Sequence, residues 1–113
     1  MNKLFSIGLA LAGLSGFVMP VAAIAGDEDD ARVAIAGATA KLDSAEKAGI
    51  GGNAGDMLSK TRAVLDDAKA RFRKDEDRHA LVLAREADAL ADLAAATSEM
   101  RALESERSKI AVN

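Results

Sequence analysis

Residues 80–96 read ALVLAREADALADLAAA, and this stretch decides the fold of the chain. At about 100° per residue, its small side chains fall in one narrow stripe of a helix, with Leu83 and Leu90 beside them. The stripe consists of Ala80, Ala84, Ala87, Ala91 and Ala94. Because alanine at this spacing lets a second helix approach closely, the stretch predicts the buried face of a helix in a tightly packed bundle.

Two earlier segments have one-sided apolar patterns that are also typical of bundle helices. The first repeats apolar residues at alternating spacings of four and three, as a coiled-coil seam does. We expect helices over about 30–48, 54–73 and 76–109, and therefore an all-α, three-helix antiparallel bundle: a long helical hairpin plus an N-terminal helix. The expected core positions of the first two helices are Ala31, Ile35, Ala38, Leu42 and Ala45, then Met57, Leu58, Thr61, Val64, Leu65, Ala68 and Phe72.

The two breaks between these helices differ in kind. The segment 49–55 contains four glycines, so it ends the first helix, with Gly49 as a left-handed cap and Asn53 with Asp56 as a capping box for the second. Residues 74–77 contain neither glycine nor proline. We favour a tight turn there, with Asp75 as the N-cap of the third helix, over one continuous helix.

The beginning of the chain has the features of a secretory signal. A basic head at Lys3 precedes an uncharged apolar run, and small residues follow Pro20. We expect residues 1–25 to be a signal peptide cut between Ala25 and Gly26, with a cut after Ala23 as the alternative. The apolar run is about 16 residues and a spanning helix needs roughly 20, so an uncleaved anchor is less favoured. The expected mature protein is a helical domain of residues 26–113 in the periplasm, and we expect no membrane contact after signal cleavage.

Composition limits the ligands and partners of the chain. It has no cysteine, so disulfides, thiolate metal sites and a lipid anchor on cysteine are not expected. It is acidic, with a formal net charge of −3, and has three Phe but neither Trp nor Tyr. Because scattered bases and few aromatic rings suit neither phosphate contacts nor base stacking, we expect no nucleic-acid partner.

No group of residues in the sequence predicts a catalytic or metal-binding site. His79 is the only histidine and adjoins an acidic turn, where a solvated or capping role is expected. The acidic run 27–30 suits a helix N-terminus and lacks the spaced ligands of a calcium loop. We therefore expect no catalytic, cofactor-binding or metal-binding residues, no cofactor, and no enzymatic activity.

The alanine spacing carries a resemblance to a known family. Ala63-x-x-x-x-Ala68, Ala70-x-Phe72, the acidic turn, and then Ala80-x-x-x-Ala84-x-x-Ala87-x-x-x-Ala91 resemble the bacterial envelope family catalogued as domain of unknown function 4398. The resemblance spans about 31–96. It implies an alanine-rich helical domain behind a signal or lipoprotein peptide, and it supplies no catalytic residues. Since this chain has no cysteine for a lipid, the lipoprotein form is not implied.

A second apolar face lies about 180° from the alanine stripe on helix three. Either the other two helices cover both faces, or this face meets another protein. We expect a non-enzymatic periplasmic structural or adaptor protein whose partner, an envelope protein or a second copy of itself, binds helix three. The alternatives are a carrier of a small apolar ligand and a holdase-like chaperone. The candidate interaction face consists of Val82, Ala89, Leu93, Ala96, Met100 and Leu103.

Overall fold

The computed structural model describes residues 26–112, and within that range it contains three α-helices and no strand. Helix α1 spans Asp27–Lys47, α2 spans Gly51–Arg73 and α3 spans Asp77–Val112. The predicted all-α three-helix bundle is confirmed. The predicted signal peptide, 1–25, lies outside the described residues, and so does Ala25 of the predicted cleavage site.

The alanine stripe of α3 forms the centre of the bundle. It packs against the apolar faces of both α1 and α2, which contact each other less than either contacts α3. Leu42 of α1 and Leu58 and Leu65 of α2 are buried in the same cluster. The five stripe residues Ala80, Ala84, Ala87, Ala91 and Ala94 are all at most 1% exposed. The opening prediction, that this stripe is a buried helix face, is therefore confirmed.

A second, smaller apolar cluster closes the end of the bundle at the α2–α3 turn. Ala31, Ala80 and Leu81 are buried there, with Phe72 packed against them. The guanidinium carbon of Arg32 lies 5.6 Å from the centre of the Phe72 ring, within the range of a cation–π contact. This end of the bundle is thus closed by side chains from all three helices.

The turn between α1 and α2 depends on a left-handed glycine, as the sequence predicts. Gly49 has φ of 79°, and its N–H donates to the carbonyl of Glu46 at 3.1 Å. The N–H of Ile50 reaches the carbonyl of Ala45 at 3.2 Å, which completes a Schellman motif. Ile50 then packs on the central cluster, so the chain reverses over the core.

The turn between α2 and α3 has the same hydrogen-bond pattern with an aspartate in place of the glycine. Asp75 has φ of 62° and donates its N–H to Phe72, while the N–H of Glu76 reaches the carbonyl of Arg71 at 3.0 Å. The chain therefore turns where the sequence indicates. The predicted role of Asp75 is wrong, because Asp75 terminates α2 and does not cap α3.

The start of α2 also differs from the prediction. Ala54 has non-helical angles, φ −131° and ψ 39°, so a single turn precedes the regular helix. The N–H of Asn53, which a capping box would give to Asp56, donates to the carbonyl of Ile50 at 3.2 Å. The predicted capping box is therefore wrong, and the carboxylate of Asp56 is available to α3.

Helices α1 and α3 run in the same direction, and α2 runs opposite to both. The direction follows from the ion pairs, because Asp27 lies beside Arg78 while Lys41 lies beside Asp88. Helix α3 is the longest, at 36 residues, and its residues 103–111 are all exposed. It therefore projects beyond the ends of its two neighbours.

Candidate interaction face

The predicted second face of α3 points away from α1 and α2. We call it the outer face, and Ala89 and Ala96 within it are exposed. Its larger side chains are exposed by 57% at Val82, 51% at Leu93, 54% at Met100 and 64% at Leu103. Within residues 26–112, no helix covers this face, so covering by α1 and α2 on both sides of α3 does not occur.

Helix geometry explains why one helix presents two apolar faces. Val82, Ala89, Ala96 and Leu103 recur every seven residues, which is close to two turns of an α-helix, so they lie in one row. Leu93 and Met100 lie in the adjacent row. From Val82 to Leu103 the outer face is about 32 Å long at 1.5 Å per residue. The alanine stripe lies on the other side of the same turns.

The outer face continues beyond the residues predicted from the sequence. Ile110 follows Leu103 at the same spacing of seven, is 75% exposed, and still belongs to α3. The sequence interpretation ended helix three at about Lys109 and so missed this residue. The repeat of seven that links Val82 to Leu103 was the signal that would have included it.

Lys41 of α1 forms ion pairs with α3 at one edge of the outer face. Its Nζ lies 3.1 Å from Asp88 Oδ2 and 3.1 Å from Asp92 Oδ1. The hydrogen bonds to Asp88 and then Asp92 raise the pKa of Lys41 above its ordinary value. Asp92, which borders the outer face, therefore has a cation beside it. The sequence does not predict this contact, because a partner on another helix leaves no mark in the local spacing.

Arg101 fastens α3 to the start of α2 at the point where α3 leaves the bundle. Its Nη1 donates to Asp56 Oδ1 at 2.9 Å and to the backbone carbonyl of Asn53 at 2.9 Å. The hydrogen bond from Arg101 lowers the pKa of Asp56, and the same bond raises the pKa of Arg101. This pair therefore joins α2 and α3 directly before the exposed end of α3.

Arg62 provides a third link between helices. We expect from the sequence that it pairs with Asp66 on its own helix, but it forms an ion pair and hydrogen bond with Glu46 of α1. Arg62 pairs with Glu46 and not with Asp66, because the packing of α1 brings Glu46 within reach of the Arg62 guanidinium. Together with Lys41 and Arg101, Arg62 gives each pair of helices at least one ion pair from a basic side chain.

His79 lies at the opposite end of the molecule from the projecting helix. Its side chain is half exposed and its Nδ1 is 4.0 Å from Glu76 Oε1. Nearby, partial burial raises the pKa of Asp77, and the charges of Glu28 and Asp75 raise it further. Across residues 26–112, no three His, Asp or Glu side chains are grouped as metal ligands.

The core of the described bundle is built mainly from alanine and leucine side chains. The largest fully buried side chains are Leu65 and Thr61, and the Thr61 hydroxyl donates to the carbonyl of Met57 at 2.8 Å. A surface depression of about 480 Å³ lies at the α1–α2 turn, and its lining includes Leu58 and Arg62. That depression is open to solvent and is separate from the outer face.

Comparisons with protein-family models, with curated proteins and with solved structures found no match. The resemblance to domain of unknown function 4398 therefore stays a prediction that depends on the alanine spacing. Within residues 26–112, no helix is both long enough and apolar enough to cross a bilayer. Among the described residues, the outer face of α3 combines large apolar side chains with exposure to solvent along one helix.

Proposed function

We propose that this chain is a non-enzymatic structural or adaptor protein of the periplasm that binds a partner helix along the outer face of α3. One observation carries the proposal: α1 and α2 both pack on the alanine stripe, and the opposite face of the same helix is apolar and exposed. Contiguous exposed apolar surface is typical of protein–protein contacts. A long row of helical anchors favours a helix as the partner.

The shape of the surface supports a helical partner over a compact ligand. Val82, Leu93, Met100 and Leu103 are spread along one side of a helix and do not enclose a pocket. Alanines at positions 89 and 96 leave shallow recesses between them. A second helix fills such a row of ridges and recesses, whereas a small molecule would cover only one or two of the anchors.

The two alternatives from the sequence receive less support. A carrier of an apolar ligand needs a cavity lined by large side chains, and the described core is mostly alanine packed closely against leucine. A holdase-like chaperone needs flexible exposed apolar surface such as methionine provides, and Met57 instead packs against the core. The outer face is instead carried by one continuous helix.

Export to the periplasm is part of the proposal and has its own test. The full chain should be expressed in a Gram-negative host and the protein recovered from the periplasmic extract. We expect an N-terminus at Gly26, because small residues at positions 23 and 25 suit signal peptidase. Retention of Met1 and recovery with the cytoplasm would overturn this part of the proposal.

The binding face is tested by cross-linking in intact cells. A photoreactive residue replaces Leu93 on the outer face, and the matched control carries it at Val33, an exposed residue of α1. We expect a defined adduct of higher mass from position 93 and none from position 33. The proposal is overturned if position 93 gives no adduct or gives the same pattern as the control.

A further inference from the structure

We infer that the partner of the outer face is a second copy of this chain, paired antiparallel along α3 with the two-fold axis between Leu93 and Ala96. The inference rests on the proposed function and names its partner. The order of side chains and charges along the exposed side of α3 supports this pairing.

The exposed side of α3 follows a heptad repeat, in which one of the two facing positions is apolar throughout and the other is apolar in the middle and charged at both ends. One position is filled by Val82, Ala89, Ala96, Leu103 and Ile110, and the other by Glu86, Leu93, Met100 and Arg107. A repeat of seven, in a helix of 36 residues, is the pattern by which two helices wind around each other. The row from Val82 to Ile110 covers about 42 Å.

The antiparallel arrangement matches large side chains with small ones. With the axis between Leu93 and Ala96, Leu93 of one copy lies opposite Ala96 of the other, and Ala89 lies opposite Met100. Each pair occurs twice because of the two-fold symmetry. A large residue facing a small one lets the helices interlock, as knobs do in holes.

Charge selects the antiparallel direction. Glu86 and Arg107 are the two charged residues within the row, near its opposite ends. In a parallel pair in register, each would face its own copy, and like charges would meet at both ends. In the antiparallel pair, Glu86 of one copy lies one turn from Arg107 of the other, and both ends gain opposite charges.

The charges beside the row agree with this direction. Arg85 of one copy lies on the same edge as Glu106 of the other, which adds an opposite-charge contact at each end. One contact in this arrangement joins like charges, because Asp92 of one copy lies beside Glu99 of the other. Lys41 lies 3.1 Å from Asp92 within the same chain and compensates that charge.

The pairing also supports the projecting end of α3. Residues 103–111 are exposed and have no neighbouring helix within the described chain. Short helices without packing are marginal in water. In the antiparallel pair, Leu103 and Arg107 lie against Glu86 and Val82 of the second copy, where that copy is supported by its own bundle.

Disulfide exchange between single-cysteine variants tests the pairing, because the natural chain has no cysteine. Ala89→Cys and Met100→Cys are both at exposed positions, so neither disturbs the core. A disulfide requires Cβ atoms about 3.5–4.5 Å apart. Each purified variant is oxidised alone and in a 1:1 mixture with the other, and Val33→Cys mixed with Ala89→Cys is the control.

We expect a cross-linked dimer in the mixture of Ala89→Cys and Met100→Cys, at least tenfold more abundant than in either variant alone or in the control mixture. Dimers formed by each variant alone would overturn the antiparallel direction. No dimer in any sample would overturn self-association. In that case, the photo-cross-linking at position 93 decides whether the proposed function stands. A cross-linked product in cells whose mass differs from that of two chains would support a different partner and leave the proposed function standing. No cross-linked product would overturn both the self-association and the proposed function.

Discussion

At the scale of single residues, alanine acts in this protein as a spacer that sets how closely helices pack. Ala87 is fully buried in the central cluster, where α1 and α2 lie against α3. Replacing it with leucine adds volume that the closely packed seam cannot take up. We expect Ala87→Leu to lower the free energy of unfolding by about 1–3 kcal/mol.

Ala63→Leu is the matched control for that change, because Ala63 is exposed on α2. It should alter the free energy of unfolding by no more than about 0.5 kcal/mol. Urea unfolding followed by circular dichroism measures both variants. Equal stabilities for Ala87→Leu and the natural protein would show that position 87 is not in the core.

Gly49 and Gly37 give a second prediction at the residue scale. Replacing each with alanine should change the free energy of unfolding in opposite directions. Gly49 has φ of 79°, where a side chain is strained, so Gly49→Ala should destabilise by about 1–2 kcal/mol. Gly37 lies inside α1, is exposed, and has nothing within 4 Å of an added Cβ. Close approach of another backbone therefore does not explain this glycine.

Replacing Gly37 with alanine should stabilise the fold. Gly37→Ala should raise the free energy of unfolding by about 0.5–1 kcal/mol, because alanine loses less backbone entropy in a helix. Thermal melts of both variants beside the natural protein test the pair. A loss of stability in both would contradict the distinction between a left-handed and a helical glycine.

At the scale of helices, the sequence predicts best what local spacing controls. The buried stripe of α3, the left-handed Gly49 and the place of both turns follow from periodicity and turn residues. Asp75 was misassigned because a non-glycine residue at positive φ has a weak sequence signal. The candidate outer face is likewise visible in the spacing of α3.

The links between helices could not be predicted in this way. Lys41 reaches Asp88 and Asp92, and Arg62 reaches Glu46, only because α1 lies in a particular register beside its neighbours. Long basic side chains have several acids within range in sequence. Which acid they select depends on the packing of whole helices, and a single sequence does not record it.

The Arg101–Asp56 link makes a prediction at the helix scale, through pH. Because Arg101 lowers the pKa of Asp56 in the folded protein, the charged carboxylate stabilises the fold above its unfolded-state pKa of 3.8. That stabilisation is lost as the pH falls through the lower folded-state pKa. We therefore expect Asp56→Asn to lower the melting temperature at pH 7, and to lower it progressively less as the pH falls below 3.8.

Asp66→Asn, an exposed change on the same helix, is the control for that series. Melting temperatures of both variants and the natural protein are measured from neutral pH into acid. A constant difference between Asp56→Asn and the natural protein across the whole series would mean that the ionised link contributes nothing to stability.

At the scale of the whole molecule, the two sides of α3 have different surroundings. Its alanine stripe binds α1 and α2 and makes the fold, while its outer face carries Val82, Leu93 and Met100 into solvent. A substitution on the outer face should therefore change association without changing the fold. A substitution in the alanine stripe should do the reverse.

Sedimentation equilibrium of the purified protein tests this division most directly, with Leu93→Glu as the variant and Val33→Glu as the exposed control on α1. In the proposed dimer, a carboxylate at position 93 would lie at the centre of the two outer faces, where it would lose its water without gaining an opposite charge. We predict that the mass of the natural protein and of Val33→Glu rises with concentration from one chain to two. Leu93→Glu should remain one chain with unchanged helix content. A natural protein that stays a single chain at every concentration, or a Leu93→Glu variant that unfolds, would contradict the account.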